Sequence, residues 1–457
     1  LKKKIMSFLI PLVDVQERGA KFVHMLEKEL EVTEENDSPS HGPPHKSKKK
    51  YGPPKRVRVW TSIPEKQSLM IPYAWAVKHF SPSLYRPIRT SDNVLNSSVE
   101  FVGTLRQEQQ EIFQETMQLL KTQNGSACVA VYPGGGKTIT SLCLSHRLGL
   151  RVVVLLHRLV LVEQWKESIQ NFFTPNIRFH FITTHDKKIP KGMDIYMINA
   201  INVPKWTFQE WSDLNIATVL VDECHVMVTN VMVQALSFLT PRYILGLSAT
   251  PYRPDGLNIL LEYYFGQGKV IRKLFRPHQV VLLQTGLTAP DEKDEKGQRL
   301  WNPVLEFQAC HEERNRQIVD YCSQDEYKER NMLVLCKRRQ HIELLRRLFQ
   351  EKTSSQEEVG VFYGDMTTFS KNSRILLASF QKVGVGFSHN RLDMLVLGCD
   401  CEEYFLQYLG RVFRRPDVVP IVIDVVDIHP VLQRHSQTRK RVYRECGGKV
   451  HVVTPQK

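Results

Sequence analysis

The sequence contains no uninterrupted apolar run approaching the roughly 20 residues that a helix needs to cross a bilayer, so a helical membrane span is not expected. It also lacks paired cysteine spacing. The nine cysteines (Cys128, Cys143, Cys224, Cys310, Cys322, Cys336, Cys399, Cys401 and Cys446) are odd in number, scattered, and set mostly in apolar runs such as Leu333–Cys336. Neither a CxxC zinc site nor a disulfide framework is indicated, and a reducing setting fits. No repeat of roughly 20–50 residues is visible, which excludes a solenoid. Leu1–Val13 joins Lys2-Lys3-Lys4 to a short apolar run, but the run stops at Asp14 without a small-residue cleavage site. Secretion is therefore not expected, and a soluble intracellular protein is. Leu1 in place of an initiator leaves Met6 as a candidate start. Acids are the scarcer charge: 48 Asp and Glu against 62 Lys and Arg leave a formal charge of +14. That surplus favours a polyanionic partner, with a bare solubility role the lesser alternative.

A chain of 457 residues, 42% hydrophobic and 24% charged, is globular in composition and too long for one core, so two or three domains are expected. Residues 14–32 predict one amphipathic helix, with Val15, Phe22, Val23, Leu26 and Leu30 at helical spacing. A polar, basic stretch containing Lys48-Lys49-Lys50 follows near 33–56 and reads as a flexible linker. Leu69–Pro72 is a candidate strand or turn. From about Thr104, short β-branched runs alternate with helical stretches: Cys128–Val131, Val152–Leu156, Phe179–Thr183, Asp194–Ile198, Ala217–Val221 and Tyr243–Leu247. After Gln284–Arg299, which reads as a linker or long loop, come Met332–Leu335, Val359–Phe362, Ile375–Ala378, Met394–Leu397 and Ile421–Val426. This alternation predicts α/β architecture, with parallel sheets flanked by helices. The expected organisation is an accessory region over 1–100, a first α/β domain over 101–280 and a second over 281–457.

The strongest local signal is Val131-Tyr132-Pro133-Gly134-Gly135-Gly136-Lys137-Thr138, between a strand and a helix-compatible run. Phosphate oxygens need inward-pointing backbone N–H groups, which side chains would obstruct; hence the glycines. The helix N-terminus adds partial positive charge. Lys137 would reach the β- and γ-phosphates and Thr138 would ligate Mg²⁺. Val131 stands where the full pattern carries its first Gly. Further on, an apolar strand ends in Asp222-Glu223-Cys224-His225, at the strand edge where α/β proteins bind ligands. Asp222 can hold Mg²⁺, Glu223 can orient and deprotonate a water, and His225 can sense the γ-phosphate. Ser248 and Thr250 end the next strand and could relay nucleotide state. Upstream, the Gln109 amide can both donate to and accept from an adenine edge. In the second domain, Gln407, Arg411 and Arg414 recur on one helical face and would present two guanidiniums to a facing surface. The run Ser379–Ser388, with Gly386, suits backbone contact with a phosphate.

In order, LRQEQ, PGGGKT, HRLVLVEQW, DECH, SAT, GVGF and QYLGRVFR resemble the boxes of superfamily 2 helicases, over about residues 100 to 430. Leu245–Gly256 looks like the branch that holds XPB-type DNA helicases and poxvirus transcript-release helicases of large DNA viruses. His311-Glu312-Glu313-Arg314-Asn315, the tail Ile421–Asp427, Arg441 and Tyr443 look viral in style. The resemblance implies two tandem RecA-like domains with ATP and Mg²⁺ held between them and DNA or RNA lying across both. It places Pro133, Gly134, Gly135, Gly136, Lys137 and Thr138 around the phosphates, makes Asp222 and Glu223 the acid pair, and makes Gln407, Arg411 and Arg414 the groups acting in trans. His157, Arg158, Gln164 and Trp165 match the box beside the bound strand; a buried Trp165 is the plainer alternative. Two departures stand out: Ser379 where relatives carry Thr, and Ser388 where many carry Asp. The implied activity is that of a monomeric, ATP-driven 3′-to-5′ DNA motor serving the transcription machinery. An RNA helicase and a non-hydrolysing nucleic-acid-binding subunit are the alternatives. If the protein is viral, it would work in host cytoplasm or nucleus, with the virion a further location.

Overall fold

The computed structural model describes residues 8–33, 56–64, 67–80, 91–227, 235–236, 238–250, 252–253, 257–384, 387, 389–401, 405–415 and 417–454. Gly386, Ser388 and the interior of the basic stretch between Thr33 and Arg56 lie outside the described residues. The chain divides into two compact units, the first running to Arg272 and the second from Lys273, with Tyr132–Gly134 grouping with the second. None of the described helices is long and apolar enough to cross a membrane.

The first unit opens with short strands β1 (Phe8–Pro11), β2 (Glu31–Thr33), β3 (Arg56–Arg58), β4 (Thr61–Ile63) and β5 (Ser68–Ile71). Strands β1, β5 and β4 form an antiparallel sheet, and β2 pairs with β3. The helix expected over 14–32 is two, Leu12–Gln16 and Ala20–Leu30, broken at Gly19, whose φ of 83° is one that glycine adopts without a Cβ clash. The described residues before 100 do not stand apart. Val57, Ile71, Tyr73 and Trp75 share one buried cluster with Val153, Val221 and Phe265, and the Tyr73 hydroxyl donates to the carbonyls of Asn124 (2.9 Å) and Arg242 (2.7 Å). A region this deeply embedded belongs to the first unit's core.

The main sheet of that unit contains β6 (Ser126–Val131), β7 (Val152–Leu156), β8 (Phe179–Ile182), β9 (Ile195–Asn199), β10 (Thr218–Val221), β11 (Tyr243–Ser248) and β12 (Lys269–Arg272). Among the described residues it has seven strands in the order β12-β6-β11-β10-β7-β9-β8, all parallel. Strands β6, β7 and β10 are buried along their whole length, as strands covered by helices on both faces must be. The order has one consequence for function. It sets β6, β11 and β10 side by side, with Ser248 opposite Ala130 and Val221 opposite Gly246. Three segments remote in sequence therefore leave the sheet at one edge.

The second unit contains β13 (His278–Thr288), β14 (Met332–Cys336), β15 (Val359–Phe362), β16 (Ile375–Ser379), β17 (Met394–Leu397), β18 (Ile421–Ile428) and β19 (Gly448–Val453). Its sheet, again of seven described strands and all parallel, runs β15-β16-β14-β17-β18-β13-β19. Alternate residues supply two cores: Leu333 and Leu335 pack on one face, Met332, Val334 and Cys336 on the other. The linker or long loop expected over Gln284–Arg299 is corrected at its start only, since 289–299 forms no helix or named strand. Gln284–Thr288 completes β13, whose pairing with β18 shifts register over that stretch, and the second unit begins before 281. Clustered polar residues beyond Leu283 concealed a strand that lies between β18 and β19.

A buried polar network joins this sheet to its helices. The Arg439 guanidinium donates to both Asp424 oxygens at 2.8 Å, to Asp400 at 2.9 Å and to the Cys401 carbonyl at 2.9 Å; Tyr443 donates to Asp424 at 3.1 Å. Arg314, fully buried, donates to Asp427 at 2.8 Å. Arg314 and Tyr443, singled out by resemblance, are thus core residues. Removing one member of such a cluster strands buried carboxylates. Arg439→Met is expected to destabilise the second unit by about 3–5 kcal/mol, read as a lower urea midpoint for its unfolding; an unchanged midpoint would contradict the network's role.

Candidate active site

Strand β6 ends at Val131, and the helix Lys137–Leu148 begins after the glycine loop. Gly134 (φ 86°) and Gly136 (φ 85°) both take backbone conformations that a side chain would strain. Gly136 is also crowded: a Cβ there would come within 1.9 Å of the Gln109 amide nitrogen. Gln109 is buried, its Oε1 accepts from the Arg106 N–H at 2.8 Å, and its amide nitrogen lies against the glycine loop at Gly136. Lys137 curls over that loop and donates from Nζ to the Val131 carbonyl at 2.7 Å. Thr138 follows in the first helical turn, where its carbonyl accepts from Ser141 Oγ at 2.8 Å.

Strand β10 delivers the acid pair. Glu223 has φ 49°, the left-handed region that non-glycine residues rarely occupy, at a cost of about 1–3 kcal/mol. The turn points the Glu223 N–H at Asp222 Oδ1, 3.0 Å away, while Trp165 Nε1 donates to Asp222 Oδ2 at 2.9 Å. Burial, reinforced by the Glu223 charge, pushes the Asp222 carboxyl up to about 6; the Trp165 hydrogen bond, the Lys137 charge and the Glu223 N–H pull it back. Glu223 Oε2 is buried without a hydrogen-bond partner, and His225 Nδ1 stands 3.6 Å from it. Two adjacent acids, one desolvated and one with an orphaned oxygen, fit a divalent cation, which would hold Asp222 ionised.

The Ser-Ala-Thr turn touches the acid box through one hydroxyl. Ser248 Oγ donates to the Thr250 carbonyl (2.6 Å), accepts from the Thr250 N–H (2.9 Å), and lies 2.8 Å from His225 Nδ1. A hydroxyl has one proton, so Nδ1 carries the hydrogen and Nε2 the lone pair. Burial, with the Arg253 and Lys137 charges, drives the His225 imidazole down to about 4, which leaves it neutral at physiological pH. Arg253, which sequence reading passed over, donates to the His225 carbonyl at 3.1 Å and is itself buried.

Trp165 requires a correction. It is 1% exposed and spent on Asp222, so it cannot lie against a nucleic-acid strand; its indole positions the acid. Of the same box, Arg158 is exposed in the loop after β7, Gln164 is half-buried on the helix Val160–Phe172, and burial with the Arg158 charge takes His157 down to about 4. Trp165→Phe removes a donor that favours the carboxylate, so the Asp222 pKa should rise further. The acid limb of ATPase activity is expected to move up by about one pH unit, with activity lost at a higher pH than in the parent; an unmoved limb would contradict this role.

In the second unit, the helix Phe405–Val412 carries buried Gln407 and half-buried Arg411. Arg411 donates to the carbonyls of Phe387 and Gly384, each at 2.7 Å, which ties it to the glycine run after β16. Arg414 lies beyond the helix end, so the single helical face expected for all three residues holds only to Val412. Its Nη1 donates to Asn390 Oδ1 at 3.2 Å.

Residues 103–253 match the family model of the Type III restriction enzyme, res subunit. Over 403 residues the chain is 33% identical to "Putative helicase 161L" of Invertebrate iridescent virus 6, covering 84% of this chain and 89% of the relative. This chain belongs to the superfamily 2 helicases. Two solved structures share the helicase fold at low identity. One is the ATP-dependent Type ISP restriction-modification enzyme LlaBIII bound to DNA (TM-score 0.53, 12% identity, 78% of this chain and 32% of that one). The other is S. cerevisiae Dbp5 bound to RNA and ADP BeF3 (TM-score 0.51, 11% identity, 77% and 94%). The two parallel sheets of this helicase are the tandem RecA-like domains of that fold.

Proposed function

We propose that this helicase couples ATP hydrolysis to 3′-to-5′ movement on DNA and serves transcription. The observation that carries the hydrolytic part is the acid pair at the end of β10: Asp222 held by Trp165 and the Glu223 N–H, beside a Glu223 carboxylate with an orphaned buried oxygen. Gly134, Gly135, Gly136 and Lys137 would take the phosphates, and Thr138 and Asp222 the Mg²⁺. When bound there, the ion would supply positive charge to the phosphate oxygens. Glu223 accepts the proton of the attacking water, and its strained backbone fixes where that carboxylate points. His225, neutral and bonded to Ser248, links the acid box to the Ser-Ala-Thr turn. Arg411 and Arg414 are assigned to charge developing on the γ-phosphate.

DNA, polarity and transcription rest on the likeness of Leu245–Gly256 to the XPB-type and poxvirus branch; the formal charge of +14 supports a polyanion of either kind. RNA is the second reading, because the Asp222-Glu223-Cys224-His225 box is also like that of RNA helicases. ATPase activity measured with single-stranded DNA, duplex DNA and RNA at one stated salt concentration separates them. Stronger stimulation by RNA than by either DNA would overturn the DNA reading, and no stimulation by any would overturn the motor.

A further inference from the structure

The carbonyls on either side of Arg414 converge on one guanidinium. Arg276, in the segment that opens the second unit, donates from Nη1 to the Phe413 carbonyl at 2.6 Å, and from Nη2 to the Arg415 carbonyl and to that of Val418 at 2.8 Å. The stretch after Val412 has no regular secondary structure among its described residues, so its carbonyls depend on such donors. Arg276 is itself anchored through its backbone: its N–H donates to the Cys446 carbonyl at 2.8 Å, and its carbonyl is 2.7 Å from His278 Nδ1. On the far side of Arg414, the Arg415 side chain donates to Asp393 at 2.9 Å. The main chain bearing Arg414 is therefore held from both sides, and its Nη1 donates to Asn390 Oδ1 at 3.2 Å.

We infer that Arg276 is a positioning residue for Arg414, fixing the backbone from which that guanidinium acts. The inference rests on the reading of Arg414 as the arginine that stabilises charge on the γ-phosphate. A planar fork with five N–H donors serves three carbonyls through two separate nitrogens; a lysine ammonium keeps the charge but gathers its donors on one atom. Misplacing a catalytic group by about 1 Å costs on the order of a hundredfold in rate, so the effect belongs in kcat and not in ATP binding.

The test is steady-state, nucleic-acid-stimulated ATPase of the full chain in five forms: parent, Arg276→Ala, Arg276→Lys, Arg414→Ala, and Arg276→Lys with Arg414→Ala. Both Arg276 variants are expected to lower kcat by about ten- to a hundredfold, with KM for ATP within about twofold of the parent. Once Arg414 is gone, Arg276→Lys should lower kcat by less than about twofold. An equal fall in both backgrounds would show that Arg276 merely supports the fold and would overturn the inference, as would parental kcat in Arg276→Lys. Parental kcat in Arg414→Ala would instead overturn the assignment of Arg414, and the inference with it.

Discussion

Glu223→Gln is expected to bind ATP as the parent does and to hydrolyse it about 10²–10⁴ times more slowly. The amide keeps the size and the neighbours of the carboxylate but cannot take a proton from water. Binding should survive for a second reason. The Glu223 charge is one of the two causes that raise the Asp222 carboxyl to about 6, so removing it lets Asp222 ionise more readily and favours the metal. The strained turn is untouched, because the φ of 49° at Glu223 is a backbone property. Single-turnover hydrolysis beside equilibrium nucleotide binding checks both halves. Near-parental turnover would remove Glu223 from the role of base.

Lys137→Ala should fail in the opposite pattern, losing binding as well as turnover. Charge-assisted hydrogen bonds to phosphate oxygens are worth about 1.5–3 kcal/mol, roughly ten- to a hundredfold in Kd. Removing a preorganised cation aimed at developing charge costs a further 10²–10³ or so in kcat. The structure adds an indirect loss. The Lys137 charge holds down both the Asp222 carboxyl and the His225 imidazole, so its removal should raise both and weaken the metal site at neutral pH. The deficit should therefore shrink as pH rises and Asp222 ionises again. Nucleotide affinity unchanged from the parent would contradict the assignment.

Many residues of the proposed site could be picked out before any fold was known, because they are contiguous in the chain. Gly134–Thr138 and Asp222–His225 each lie within one turn at the end of one strand, and strand, loop and helix follow each other along the chain. The parallel sheets were legible for a related reason: runs such as Val152–Leu156 and Met332–Cys336, buried on both faces, leave a continuous β-branched and apolar signature. What was misread lacked such a signature. Gln284–Thr288 is polar enough to resemble a loop, yet it continues β13. Trp165 matched a strand-contacting box by position, but a match of that kind cannot say where an indole N–H points.

By itself the sequence determined which chemical groups the protein possesses and the order in which the strands carry them, because local spacing and hydrophobic period are properties of the chain. Only the tertiary structure decided which groups meet. Trp165 reaches Asp222, Ser248 reaches His225 and Arg276 reaches the carbonyls around Arg414, contacts between segments far apart in the chain. The physical reason is the strand order: placing β11 between β6 and β10 gathers three loops at one sheet edge, and burial there shifts the pKa values of Asp222 and His225. Neither adjacency nor desolvation is written in residue spacing; both arise when the sheet closes over its core.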